Sequence, residues 1–350
     1  MTDVAFHLLQ PKIDNANGVT LWIADENALR PQQLASPNPA ITVICNRFDL
    51  YQKLDTHGWN VEFNDFDFSA YPDGSVDRIV YRISKEKPAV HHIINQAFRV
   101  LKQDGELCIS GLKNEGIKTY LDKAKKFFAG QIETKKADKN TWMGTLRRPE
   151  AGKEPLDDQH YTELREVATD DAFSYWSKPG VFGWNKIDKG STFLIEELQL
   201  FVSQLKEPPE NILDLGCGYG YLSLNCQLPG AKITATDNNA AAIYTCTENF
   251  LRNQVNGEVI TADCAEGIEQ QFSLILCNPP FHQGFSVEGD MTDRFLNTAS
   301  KRLHAKGIAC FVVNLHIPLE RKAKGLFSRI ETIAGNGSFK LVLLAQPVTR

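Results

Sequence analysis

From residue 211 onward the apolar positions gather into short strand-like runs separated by polar or helix-patterned stretches. Asn211–Leu215, Lys232–Asp237, Gly257–Ala262, Phe272–Cys277, Gly307–Val313 and Phe339–Leu344 read as strands, and 239–252 and 291–303 as helices. Strands alternating with helices predict an α/β fold with a largely parallel sheet covered on both faces. The first half repeats the rhythm more faintly. Ile41–Cys45 reads as its opening strand, followed by a helix near 47–57, a strand at Val76–Tyr81, a helix near 87–101 and a strand at Gly105–Ser110. Val100–Ile109 and Leu303–Phe311 share one helix–turn–strand pattern. That likeness suggests a duplicated fold, although a common αβ turn would also produce it.

Three hundred and fifty residues exceed what one hydrophobic core usually organises. Pro149–Pro155, with the polar stretch to about 165, is the candidate linker, giving domains over 1–155 and 165–350. Composition is that of an ordinary soluble protein, 42% hydrophobic and 23% charged. No signal peptide is readable, and no apolar run approaches the ~20 residues that span a bilayer. The eight cysteines form no CxxC pair and several lie in strand-like runs, so reduced thiols in a cytoplasm are expected, with neither a disulfide framework nor a metal site. A net charge of −5 argues against a uniformly basic nucleic-acid binder but leaves a local basic face open.

The chemistry gathers in the second half. Asp214-Leu-Gly216-Cys-Gly218-Tyr-Gly220 ends a strand and precedes a helical stretch, where glycines let the backbone turn sharply and approach a ligand. Dinucleotide enzymes use such loops too, but their fingerprint needs a small residue at 221, which is Tyr here. Asp214 suits the cationic amino group of an amino-acid-like cofactor. Asp237, followed by Asn238, ends the next strand, where a carboxylate accepts from ribose hydroxyls. Asp263 ends the third, placed to accept from an adenine amino group. Each of the latter two also reads as a helix N-cap. Together, at consecutive strand ends, they favour a nucleoside-bearing cofactor, S-adenosylmethionine (SAM).

Asn278-Pro279-Pro280-Phe281 follows a buried strand. Two prolines fix the backbone and remove two N–H donors, leaving the Asn278 amide oxygen and the Pro279 carbonyl as rigid acceptors. Acceptors gripping the N–H bonds of a conjugated exocyclic amine aim its lone pair at a methyl sulfonium. Catalysis is then orientation and electrostatics, with Asn278, Pro279 and Phe281 as the catalytic set. Phe281 offers a flat face for a planar target, and His282 a positioning group. Alone, the tetrapeptide leaves base and protein substrates open.

Asn278-Pro-Pro-Phe-His-Gln-Gly284, with Pro179-Gly-Val-Phe182, Asp188-Lys-Gly190-Ser191 and Ala334-Gly-Asn-Gly-Ser-Phe339-Lys340, resembles the bacterial ribosomal RNA guanine-N2 methyltransferases, in the 16S branch of the RsmC type. The resemblance is strong from about 175 to 345 and rests on architecture before 150. It departs from the family pattern after Val181-Phe182, at Gly183-Trp184-Asn185-Lys186. It implies two tandem Rossmann-like class I methyltransferase domains, the N-terminal one degenerate and without SAM. It also implies methyl transfer to N2 of a guanine in small-subunit rRNA or its assembly intermediate, leaving S-adenosyl-L-homocysteine (SAH). Asp214, Gly216, Gly218, Asp237, Asn238, Asp263 and Asn278 would carry the cofactor, and Phe281 with His282 the target. A cytoplasmic monomer is expected. The missing glycines of the first half agree, since Cys45-Asn46-Arg47-Phe48 stands where a cofactor loop is expected.

Between 113 and 148 lie ten basic residues against four acids, a local excess of six in an acidic chain. Such a patch neutralises phosphates, with Lys123, Lys125 and Lys126 as candidate RNA contacts, or is simply a solvated helix face. A shorter basic patch lies at Arg321, Lys322 and Lys324. The competing readings are a 23S rRNA guanine-N2 methyltransferase, an adenine-N6 or protein glutamine methyltransferase, and a non-catalytic RNA-binding assembly factor.

Overall fold

A computed structural model describes residues 3–28, 36–279 and 285–348, the stretch 285–290 by its backbone alone. The chain divides into two compact units, Met1–Glu163 and Leu164–Arg350. In the first, α1 (Val4–Asp14) leads into β1 (Thr20–Ala24), β2 (Ile41–Cys45), α2 (Phe48–Thr56), β3 (Asn60–Phe63), β4 (Val76–Arg82), α3 (Lys87–Val100), β5 (Leu101–Leu112), α4 (Ile117–Phe128), β6 (Ile132–Lys136) and β7 (Thr141–Arg147). The second begins with a hairpin, β8 (Arg165–Thr169) and β9 (Ser174–Ser177). Then come α5 (Lys189–Glu196), α6 (Leu198–Val202), β10 (Asn211–Leu215), α7 (Tyr221–Asn225), β11 (Lys232–Asp237), α8 (Ala240–Arg252), β12 (Gly257–Thr261) and β13 (Phe272–Cys277). It closes with α9 (Phe285–Arg302), β14 (Leu303–Asn314), α10 (Leu319–Ala323), β15 (Phe327–Gly335) and β16 (Phe339–Pro347).

The sheets are copies in topology. One runs β3-β2-β1-β4-β5-β7-β6 and the other β12-β11-β10-β13-β14-β16-β15. In each, five strands are parallel, and the last two in sequence are antiparallel to their neighbours. The shared pattern seen in the sequence is structural. A helix ends at Val100 or Arg302, and a twelve-residue strand starts at the next residue. The register of each slips near its start, between Val76 and Arg78 and between Phe272 and Leu274. A glycine sits at each slip because backbone fills its space: a Cβ on Gly105 would meet the Lys102 carbonyl at 2.9 Å, and one on Gly307 the Ser273 carbonyl at 2.8 Å.

Two expectations change. The opening strand of the first sheet is Thr20–Ala24, and Ile41–Cys45 is its second strand. All five residues of β1 are buried, and a run that short without alternation carries no periodic signal. The loop equivalent to the glycine loop therefore begins at Asp25-Glu26-Asn27-Ala28, again without glycine, and continues outside the described residues. The stretch beyond Pro155 belongs to the first unit rather than spanning freely. Leu156 and Asn95 exchange two hydrogen bonds (2.9 and 2.8 Å), and buried Tyr161 stacks on His92 and donates to Asp65 at 2.7 Å.

Candidate active site

Strand β10 delivers Asp214 to the carboxyl edge of the second sheet, where it is wholly buried. Gly216, Gly218 and Gly220 then turn at φ values of 84°, 55° and 91°, a left-handed path that suits glycine. The loop leads into α7, and the backbone N–H and hydroxyl of Ser223 both donate to Asp214 Oδ2, at 3.0 and 2.6 Å. Asp214 Oδ1 is buried with no hydrogen-bond partner. Burial pushes this carboxyl up to about 7 against the Ser223 bonds, with Asp237 adding repulsion. An orphaned carboxylate oxygen beside a glycine loop matches the ammonium of an amino-acid-like cofactor. A Cβ on Gly218 would meet nothing within 4 Å, so that face of the loop is open.

Asp237 ends β11 and secures the loop: Oδ2 accepts from Gly218 N at 3.0 Å and Oδ1 from Asn239 N at 2.9 Å. Asn239 N-caps α8, so the cap expected of Asp237 belongs to the residue two further on. Asp263, past β12, is buried; it accepts from Asn238 Nδ2 at 3.2 Å and pairs with Arg294 of α9.

Asn278 follows β13. Its amide nitrogen donates to Asp188 Oδ1 at 2.7 Å and to Ser191 Oγ at 2.8 Å. Asp188 is the N-cap of α5 and also accepts from Ser191 N at 3.0 Å. Both amide hydrogens are thereby committed, which fixes the flip of the carboxamide and leaves Oδ1, beside the buried Pro279, as an acceptor with no partner among the described residues. Pro280, Phe281 and His282 lie outside the described residues. Asp214, Gly216, Gly218, Asp237, Asn238, Asp263 and Asn278 thus sit along one sheet edge, at successive strand ends.

Sequence reasoning missed four partners: Ser223, Asp188, Ser191 and Arg294. Asp188 with Ser191 carries a readable signal, an acidic N-cap three residues before its hydroxyl. Ser223 and Arg294 carry none, because their roles depend on helix packing. No group of three or more metal-ligating side chains occurs among the described residues, and all eight cysteines are free thiols.

The first unit fills the same places differently. By strand register Arg82 stands where Asn278 stands, and Asp3, the N-cap of α1, where Asp188 stands. Arg82 is buried, pairs with Asp3 at 2.9 Å, and grips Glu115 through two bonds of 2.6 and 2.9 Å. A saturated guanidinium donates only, so the acceptor of the second unit has no counterpart.

The basic candidates also separate. Lys123 is half-buried and lies 3.2 Å from His91, whereas Lys125 and Lys126 are exposed on α4. Lys118 and Lys136 close over the Trp142 ring from 4.3 and 4.1 Å, and exposed Lys135 and Lys139 lie nearby in sequence. Arg147 and Arg148 are engaged with Glu106 and the Phe98 carbonyl. Lys322 pairs with Asp293 at 2.7 Å, while Arg321 and Lys324 are exposed. No helix among the described residues is long and apolar enough to cross a membrane.

A 3-2-1-4-5-7-6 sheet with an antiparallel last strand, a glycine loop after its first strand and acids at the next two strand ends defines a class I, SAM-dependent methyltransferase fold. The family model described as methyltransferase small domain matches residues 172–343, and the methyltransferase small domain N-terminal model matches 9–140. The chain belongs to this family. Among its relatives is the ribosomal RNA small subunit methyltransferase C of Haemophilus influenzae, 27% identical over 313 residues, 89% of each chain. That of Pseudoalteromonas translucida is 28% identical over 269 residues, 75% of this chain and 76% of the relative. The fold is shared with a T. thermophilus 16S rRNA N2 G1207 methyltransferase (RsmC) solved with AdoMet and guanosine. It has a TM-score of 0.81 and 21% identity, covering 98% of this chain and 92% of that one.

Proposed function

We propose that the protein transfers a methyl group from SAM to the exocyclic N2 amine of a guanine in small-subunit ribosomal RNA. The observation that carries this reading is the locked Asn278 carboxamide, whose donors are both committed and whose oxygen remains free. The relatives' names supply the rRNA address. SAM, when bound, supplies an electrophilic methyl on sulfonium. Asp214 Oδ1 would hold the cofactor's ammonium, Asp237 the ribose hydroxyls, and Asp263 the adenine amine. Asn278 Oδ1 and the Pro279 carbonyl accept the two N2 hydrogens, favouring a pyramidal nitrogen with its lone pair aimed at the methyl. Methyl transfer would leave SAH, and the proton lost from N2 passes to water. Phe281 stacks on the flipped base and His282 positions it.

The first unit binds no SAM in this reading and grips RNA phosphates through its basic residues, Lys123, Lys125 and Lys126 among them. The test is tritiated-methyl transfer to isolated 30S particles, 50S particles and naked rRNA, with mapping of the modified nucleotide. Label at one guanine N2 of 16S rRNA is expected; label elsewhere, or none, overturns the reading. Calorimetry should give one SAM per chain, and two would return cofactor binding to the first unit. Charge reversal at Lys125 and Lys126 should weaken RNA binding without altering SAM affinity.

A further inference from the structure

We propose that Asn314 reads the Watson–Crick edge of the target guanine, acting as a specificity-determining residue beside Asn278. This rests on the guanine-N2 reading above.

Three observations converge on it. Cys277 of β13 lies level with Phe311 of β14, so Asn278 lies level with Val312. Side chains alternate along a strand, so Asn314 projects from the same sheet face as Val312, two residues or roughly 6.6 Å further out. That face carries the catalytic lock. A Cβ on Gly190 of α5 would lie 3.1 Å from Asp188 Oδ1, 3.3 Å from the Phe339 ring and 3.4 Å from Val312. Phe339 is itself the cross-strand partner of Asn314.

The backbone around Asn314 is pinned, because its carbonyl accepts from Ile317 N at 3.0 Å and Leu315 N donates to Ser338 O at 3.1 Å. Its carboxamide is partly exposed and has no hydrogen-bond partner among the described residues. An amide left open on a fixed backbone beside the acceptor of a reaction is placed for a ligand.

The internal repeat shows what this position lines. In the first unit a cavity of about 730 Å³ is bordered by Asp3, Arg82, Leu112 and Thr141. By register the last three stand where Asn278, Asn314 and Phe339 stand in the second unit, and Asp3, like Asp188, is the helix N-cap that holds the fourth-strand residue. The position that lines this cavity is Leu112 in the first unit, and Asn314 occupies the equivalent position in the second. The unit without the Asn278 acceptor also lacks the polar group.

The chemistry matches guanine. Along one edge the base presents the O6 acceptor, the N1–H donor and the N2 amine. A carboxamide offers one donor and one acceptor side by side, Nδ2 to O6 and Oδ1 from N1–H, while Asn278 and Pro279 hold N2. A site built to pair a polar edge rejects ligands that leave it unpaired.

Guanosine, inosine and 2-aminopurine riboside separate these contacts. Inosine keeps O6 and N1–H but lacks N2; 2-aminopurine keeps the amine but lacks O6 and N1–H. Affinities are measured by equilibrium dialysis on the full chain saturated with SAH. Asn314→Ala and Asn314→Asp should weaken guanosine and inosine by on the order of tenfold to a hundredfold, with 2-aminopurine riboside held within about twofold. Unchanged SAH affinity reports an intact fold. Equal loss for all three nucleosides, or no loss for any, overturns the assignment of Asn314. If the unmodified protein binds adenosine as well as guanosine, the guanine reading itself fails.

Discussion

Two residues, Asp188 and Ser191, set the direction of the Asn278 carboxamide, so in the proposed reaction the three act as one unit. Removing the carboxamide in Asn278→Ala takes away an acceptor aimed at the reacting amine and should lower kcat by about a hundredfold or more. Ser191→Ala removes only one of the two bonds that orient it. Its expected effect is smaller, roughly tenfold in kcat with KM for SAM unchanged. Steady-state kinetics with cofactor and RNA varied separately decide this; a rise in the KM for SAM alone would count against an orienting role. Asp188→Ala is the less clean variant, because it also removes the N-cap of α5, worth about 1 kcal/mol.

Asp214 yields a pH dependence. Burial raises its carboxyl from 3.8 to about 7, so the ligand-free fold favours the protonated form. Its contribution to stability is complete below 3.8 and is lost as the pH rises through about 7. Only the carboxylate pairs with an ammonium, so SAM affinity should fall as the pH drops below about 7, and SAM in turn should lower this pKa. Asp214→Asn should bind SAM more weakly and without that dependence. Thermal shifts at several pH values, with and without SAM, measure both; an Asn variant with the parental pH profile would assign the titration to another group.

At the scale of elements, the second sheet was legible because its strands end in chemistry. Asp214, Asp237 and Asn278 follow apolar runs, and glycines mark the exit after Asp214 and prolines that after Asn278. The first sheet was not. Its opening strand, β1, is buried throughout, and without an amphipathic face Thr20–Ala24 shows no alternation. Strand β6 escaped because Glu133, Lys135 and Lys136 are exposed charges on a sheet edge, where charges discourage edge-to-edge pairing. The lock on Asn278 is written 87 and 90 residues away, beyond any local pattern. Close packing at the same edge leads to a third prediction. A Cβ on Gly144 of β7 would fall 2.2 Å from Leu121 of α4 and 2.8 Å from Ile132 of β6. Gly144→Val should therefore force α4 off the sheet and destabilise the first unit by about 1–3 kcal/mol or more. Denaturant unfolding followed by tryptophan fluorescence, with Trp22, Trp59, Trp176 and Trp184 replaced by Phe in parent and variant alike so that Trp142 alone reports, reads it. A midpoint equal to the parental one would mean that α4 repacks without strain.

Across the whole molecule, two copies of one topology have kept the same frame while diverging at equivalent places. The N-cap acids Asp3 and Asp188 are both retained, and each holds the residue at the end of the fourth strand. In the second unit that residue is an amide with a free oxygen; in the first it is a guanidinium with no acceptor at all. Arg82 between Asp3 and Glu115 makes the place equivalent to Asn278 a buried ion cluster, and such a cluster is costly to break from one side. Arg82→Met would leave Glu115 buried beside Asp3 without its cation, destabilising the first unit by about 3–5 kcal/mol. Because the residues proposed to hold the cofactor all lie in the second unit, SAH affinity at a temperature where the variant remains folded should stay within about twofold of the parent. Differential scanning calorimetry combined with SAH titration separates the two effects. A parallel loss of SAH affinity would show that the first unit supports the cofactor pocket directly. Adding Glu115→Gln to Arg82→Met should recover part of the lost stability, since an amide is less costly to bury than an unpaired carboxylate. That recovery would assign the first unit's lock to charge pairing rather than to the packing of the arginine stem.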